Sequence, residues 1–143
     1  MFERFTQKTV DIIASAQNLA QELKHNVVYS EHLLLALIKA PKGVESKILQ
    51  MAGIDPDDLE MIILRKLREK SYFEKTGEIP FSKSVKNILR MAVILADENK
   101  STLIQPTHLY LAVLSTQNFG SYKILEEYDF DREKAIANLR NLL

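Results

Sequence analysis

Apolar residues recur along this chain at helical rather than strand spacing. Ile12, Ala16, Leu19 and Leu23 stand four, three and four positions apart, with Ile13 and Ala20 beside them. That pattern predicts an amphipathic helix over about residues 6–24. The run LLLALI at 33–38 predicts a second, more deeply buried helix over about 31–40, stopped by Pro41. A third is expected over about 44–52, ending at Gly53, which suits a left-handed helix stop. Asp55-Pro56-Asp57-Asp58 opens a fourth. Asp55 can cap the free N–H groups, Pro56 fits the first helical position, and Asp57 and Asp58 complement the helix dipole. That helix is predicted to run to about residue 70. Residues 71–80, SYFEKTGEIP, break the pattern with an aromatic pair, Gly77 and Pro80, and read as a linker.

From Phe81 the order of events begins again. Residues 81–143 slide onto 5–67 without a gap, a shift of 76, and sixteen of the 63 pairs are identical. They include Phe5/Phe81, Ala16/Ala92, Lys24/Lys100, His32/His108, Leu49/Leu125, Asp55/Asp131 and Leu67/Leu143. Unrelated helical segments would reach about half of that, so the chain reads as a duplication. The expected architecture is all-α: about eight helices as two tandem four-helix repeats with pseudo-twofold symmetry. The whole of 1–143 forms one domain, with repeat one over about 5–70 and repeat two over about 81–143.

Composition narrows the function classes. Hydrophobic residues make up 46% and charged residues 27%, as in a folded globular domain. Lys plus Arg and Asp plus Glu are both 19, so the formal net charge is zero. A nucleic-acid or membrane-surface protein needs a basic excess or patch. None stands out, because Arg65, Lys66, Arg68 and Lys70 share their helix with Glu60 and Glu69. With no cysteine, disulfides, Cys-zinc sites and thiol catalysis are excluded. The charged start MFERFTQKTVD is unlike a signal peptide, and no apolar stretch approaches the ~18 residues that span a bilayer. A soluble, cytoplasmic domain, monomeric in isolation, is the expectation.

Candidate chemistry is sparse. His32 and His108 lack a His, Asp or Glu at i+3 or i+4, so they read as structural histidines rather than metal ligands. Gly43 and Gly53 are isolated and no GxxxxGK[ST] loop or Gly-x-Ser-x-Gly elbow occurs. Paired acids such as Asp57/Asp58 and Glu126/Glu127 read as caps and solvated faces. The start of the second helix is the more interesting place. Ser30 is expected to cap it, putting Glu31 in the first turn beside free N–H groups. Such an end accepts an anion while the carboxylate grips a cation, as a guanidinium bonded to phosphate would require. The plainer role for Glu31 is complementing the helix dipole.

The residues that carry this pattern resemble the Clp amino-terminal domain, most closely the ClpC branch. The matching stretches are Phe5-Thr6, Lys24-His25-Asn26 and Tyr29-Ser30-Glu31-His32-Leu33-Leu34-Leu35-Ala36-Leu37-Ile38. In the second half they are Ile79-Pro80-Phe81-Ser82 and Gln105-Pro106-Thr107-His108-Leu109. The resemblance implies a non-catalytic module at the front of a hexameric AAA+ unfoldase that docks protein substrates and adaptor proteins. The unfoldase works with a ClpP-type protease or in disaggregation. No cofactor is implied for this domain, since ATP and magnesium belong to a separate ATPase region. A free-standing accessory protein that binds a Clp complex is the alternative.

In the ClpC branch the resemblance further implies phosphoarginine recognition at one site per repeat, each pairing the Phe-Thr hydroxyl with the Glu of the second helix. Thr6 and Glu31 are the counterparts in repeat one. Repeat two keeps a hydroxyl at Ser82 but carries Thr107 where the acid belongs and Pro106 where the capping residue belongs. The second site, Ser82 with Thr107, is therefore expected to be the weaker.

Overall fold

A computed structural model describes residues 2–70, 77–117 and 120–143. Among them are eight helices: α1 (Gln7–Glu22), α2 (Ser30–Lys39), α3 (Val44–Met51), α4 (Pro56–Arg68), α5 (Lys83–Glu98), α6 (Pro106–Ser115), α7 (Gly120–Glu127) and α8 (Arg132–Arg140). No strand forms among the described residues; the β-type pairing there is two isolated bridges, Phe5 with Ile104 and Val28 with Phe81. No described helix is long and apolar enough to cross a membrane. The first six residues of the expected linker, 71–76, lie outside the described residues. Its end is packed rather than loose, since Ile79 is buried and the Pro80 carbonyl accepts from the Val28 N–H.

Local signals set the helix ends. The Asp55 carboxylate accepts from the Asp57 N–H at 3.0 Å and the Asp58 N–H at 3.4 Å, with Pro56 at the first position of α4. Gly53 takes φ +104°, and the Ile54 N–H reaches back to the Leu49 carbonyl, closing α3. Lys24 and Lys100, paired in the repeat, occupy the same left-handed position after α1 and α5, with φ 61° and 59°. The residue after each returns its N–H to the helix, His25 to the Ala20 carbonyl and Ser101 to that of Ala96. A side chain in this region is strained relative to glycine.

One expected cap is corrected. Tyr29, not Ser30, precedes α2, and the His32 imidazole holds that end by accepting the Tyr29 N–H at 2.9 Å on Nδ1. His108 does the same for α6, accepting the Gln105 N–H at 3.0 Å. A ring nitrogen three residues in thus takes the place of the Glu or Gln of a capping box. Ser30 is freed to accept the Ser121 N–H of α7 at 3.1 Å.

The duplication is visible in the packing. α1 pairs with α2 and α5 with α6, while α2 also packs on α4 and α6 on α8. The halves interlock through α1 against α6 and α2 against α5. The identical pairs Ala16/Ala92, Ala20/Ala96, Leu33/Leu109, Leu35/Leu111 and Leu49/Leu125 are buried in both copies. They form part of one continuous core with Leu59, Ile63, Ile88 and Leu139. The identity of Leu67 with Leu143 does not extend to burial: Leu67 is fully buried, Leu143 is exposed, and α8 ends at Arg140.

Candidate functional site

The two bridges decide which residues can meet. The Thr6 N–H donates to the Ile104 carbonyl at 3.1 Å, and the Ile104 N–H returns to Arg4 at 2.8 Å. The Val28 N–H donates to Pro80 at 2.8 Å, and the Ser82 N–H to Val28 at 3.0 Å. The start of α1 therefore lies beside the start of α6, and the start of α5 beside the start of α2. Each cleft is assembled across the repeats. Thr6 and Glu31, expected in one site, line different clefts; Ser82 lies at the start of α5 beside Val28, and Thr107 in the first turn of α6 against Glu45.

The first cleft, about 410 Å³, is lined by Tyr29, Glu31, Ser84, Gly120 and the lysines Lys66, Lys70 and Lys123. The Glu31 side chain is only 8% exposed. Its Oε1 accepts from the Ser30 hydroxyl at 3.2 Å and its Oε2 lies 3.3 Å from the Lys70 ammonium. That ammonium also sits 4.3 Å from the centre of the Tyr29 ring. An acid and an aromatic face together form a seat for a cation. Gly120 leaves room for Glu31 in this position, because a Cβ there would overlap the carboxylate and displace it.

The second cleft, about 420 Å³, is lined by Thr6, Lys8, Lys42, Glu45, Gln105 and Tyr110, among others. Thr107 is buried at its edge and donates its hydroxyl to Glu45 Oε1 at 3.0 Å. The Tyr110 phenol donates to the Leu37 carbonyl at 2.9 Å, and burial, assisted by the Glu45 charge, pushes its pKa up.

The two expected hydroxyls are helix caps. Thr6 Oγ1 accepts the Thr9 N–H at 3.3 Å, and Ser82 Oγ accepts the Val85 N–H at 3.2 Å. Thr9 gives its own hydroxyl hydrogen to the Ile104 carbonyl, so the Thr6 hydrogen is the one shared in the 2.8 Å contact between these two side chains. Thr6 must rotate before it can donate to a ligand. Ser84 lines the Glu31 cleft and lies 2.9 Å from the Ser82 hydroxyl, with either able to donate.

The histidines are structural. With its Nδ1 taking the Tyr29 N–H, His32 carries its proton on Nε2 and donates to His25 Nδ1 at 2.9 Å. His108 donates in the same way to Asn99 Oδ1 at 3.0 Å. Burial, with the neighbouring His25 and Lys70 charges, pulls His32 down to about 3. His25 and His108 are also lowered, chiefly by burial. Among the described residues no group of three His, Cys, Asp or Glu is placed to hold a metal.

Sequence reasoning missed Glu45, Lys70, Lys123, Ser84 and the need for glycine at 120. The repeat alignment carried a usable signal for one of them, since it sets Glu45 against Ser121 as it sets Glu31 against Thr107.

A family model described as the Clp repeat (R) N-terminal domain matches residues 4–128. The chain is 31% identical over 143 residues to the ATP-dependent Clp protease ATP-binding subunit ClpA homolog of Guillardia theta, covering all of this chain and 17% of that protein. It is 33% identical over 131 residues to the chloroplastic chaperone protein ClpC1 of Oryza sativa subsp. japonica, covering 92% and 14%. The chain thus spans less than a fifth of either relative. Among solved structures, the N-terminal domain of ClpD from Arabidopsis thaliana superposes with a TM-score of 0.78 at 25% identity, over 99% of both chains. A ClpV N-domain in complex with a VipB peptide shares the fold with a TM-score of 0.64 at 20% identity, over 93% of this chain and 86% of that one.

Proposed function

Because the chain belongs to the Clp repeat N-terminal domain family, we propose that it docks protein substrates and adaptors for a ClpC-like, ATP-dependent unfoldase partnered by a ClpP-type protease. The module itself binds and does not catalyse. The ATP and magnesium chemistry belongs to the ATPase region that such relatives carry, and the working compartment is the cytoplasm. Peptide capture by a domain of this fold has support in the ClpV N-domain solved with a VipB peptide.

The ligand we propose for the first cleft is a phosphorylated arginine side chain. The observation that carries this reading is the buried Glu31 carboxylate set among Lys66, Lys70 and Lys123, with Glu127 the one other acid on the lining. A guanidinium bonded to phosphate is a cation joined to a dianion, so a site for it needs an acid and several positive groups within a few ångströms. Glu31 and the Tyr29 ring receive the guanidinium in the place now taken by the Lys70 ammonium. Lys70, displaced, joins Lys66, Lys123 and the Ser84 hydroxyl around the phosphate. An unmodified arginine would find the acid but would meet the lysines as like charges.

Calorimetric titration with a phosphoarginine peptide and the same peptide carrying plain arginine tests this. The phosphorylated peptide should bind and the plain one should not. Glu31→Gln, which keeps the shape and the acceptor for Ser30, should weaken binding at least ~10-fold through loss of a charge-assisted contact. Equal affinity for the two peptides, or indifference to Glu31→Gln, contradicts the reading.

A further inference from the structure

The Lys70 side chain already fills the seat that the first cleft offers to a cation. Its ammonium lies 3.3 Å from Glu31 Oε2 and 4.3 Å from the centre of the Tyr29 ring. Its backbone is fixed just beyond α4, where the Lys70 N–H donates to the carbonyl of the fully buried Leu67 at 3.1 Å. The Lys70 side chain is 31% exposed, whereas that of Glu31 is 8% exposed. The flexible stem of lysine can therefore swing outward from a fixed base, while the acid it covers stays in place.

What the ammonium meets on leaving depends on what replaces it. Lys66 and Lys123 line the same cleft, and Glu127, the other acid there, stands one helical turn from Lys123 on α7. A plain guanidinium entering the seat exchanges one cation for another at Glu31 and leaves Lys70 without its acid, among like charges. Little drives that exchange. A guanidinium that carries a phosphate brings the displaced ammonium a new partner, so Lys70 gives up one anion and gains another. The free cleft thus holds an internal competitor, and only a ligand of mixed charge compensates for dislodging it.

We propose that Lys70 is a specificity-determining residue: by filling the seat between Glu31 and Tyr29 in the free domain, it excludes unmodified arginine and lysine side chains and yields to phosphoarginine. This rests on the phosphoarginine reading of the first cleft and goes beyond it. Discrimination is assigned to occupancy of the seat by one residue, not to the summed positive charge of the cleft. Of the three lysines on the lining, the ammonium against Glu31 is that of Lys70. With Lys70 neutralised, the acid and the aromatic face form an open seat for a cationic side chain, although Lys66 and Lys123 remain.

The test is calorimetric titration of a plain-arginine peptide and its phosphoarginine counterpart on wild type, Lys70→Gln, Lys70→Arg and Lys123→Gln, with thermal melting to check that each variant folds. Lys70→Gln should admit the plain peptide and cut the preference for phosphoarginine at least ~10-fold. Lys70→Arg, which keeps a cation in the seat, should still exclude the plain peptide. Lys123→Gln, which lowers the charge of the cleft but leaves the seat filled, should exclude it too. Continued exclusion by Lys70→Gln, or equal admission by Lys70→Arg or Lys123→Gln, overturns the role of Lys70 and leaves the first cleft a phosphoarginine site. A wild type that binds neither peptide overturns the reading of the cleft itself, and the role of Lys70 with it.

Discussion

The Thr107 hydroxyl donates to the Glu45 carboxylate across 3.0 Å, joining the first turn of α6 to the first turn of α3. In the other half the corresponding seam is closed in the opposite sense, by Glu31 of α2 leaning over Gly120 of α7. The fold was copied with most of its buried apolar positions kept, while the polar residues at the helix starts were redistributed. Function in this domain is therefore to be sought at the seams and not in the repeated apolar helices beneath them.

Gly120→Ala should disable the first cleft. The added methyl collides with the Glu31 carboxylate, which must swing away from Ser30 and Lys70. The domain should still fold, with a stability loss of about 1–3 kcal/mol for a strained contact of this kind. Phosphoarginine affinity at the first cleft should fall. Retention of full affinity would show that the Glu31 position observed here is not the binding position.

Acid should destabilise the domain before its carboxylates titrate. His32 is held near 3 in the folded chain against an ordinary 6.5, and His25 and His108 are lowered as well. The unfolded chain binds the extra protons, so stability is complete above about pH 6.5 and falls as the pH drops toward 3. Between pH 6.5 and 4.5 the slope from His32 approaches about 1.4 kcal/mol per pH unit. Denaturant melts across that window should show it. His32→Gln, whose side chain can still accept the Tyr29 N–H, should make the dependence shallower. A flat profile in wild type would contradict the buried neutral pair.

Lys100→Gly should stabilise the protein. Lys100 sits at φ 59° after α5, where a β-carbon costs about 1 kcal/mol or more relative to glycine. Part of that gain is lost to the greater freedom of glycine in the unfolded chain, leaving about 0.5–1 kcal/mol. Thermal unfolding should rise by about 1–4 °C for a domain of this size. A fall in melting temperature would mean that the lysine side chain contributes contacts outweighing its backbone strain.

Most of the fold was legible because its signals are local. Asp55-Pro56 starts α4 and Gly53 ends α3 as their chemistry requires, and the repeated apolar spacing marks α1, α2, α5 and α6. The cap of α2 was misplaced by one residue, because an imidazole at His32 does work usually given to Glu or Gln. The site was only half legible. Glu31 is where a binding acid would be sought, but its partners are fixed by the bridges of Phe5 to Ile104 and Val28 to Phe81, far apart in sequence. No local pattern says that the start of α5 lies beside α2; the resemblance pairs Thr6 with Glu31, and the fold sets them on separate clefts. Lys70 read as one more charge in a balanced helix, yet in three dimensions it covers both Glu31 and Tyr29.

The most direct test of this arrangement is a map of backbone amide chemical shifts during titration with a phosphoarginine peptide. One group should move, containing Glu31, Ser84, Gly120 and Lys123. Glu31→Gln should silence it. A group uniting Thr6 with Glu31, or no response at Ser84, would contradict the account of clefts assembled across the repeats.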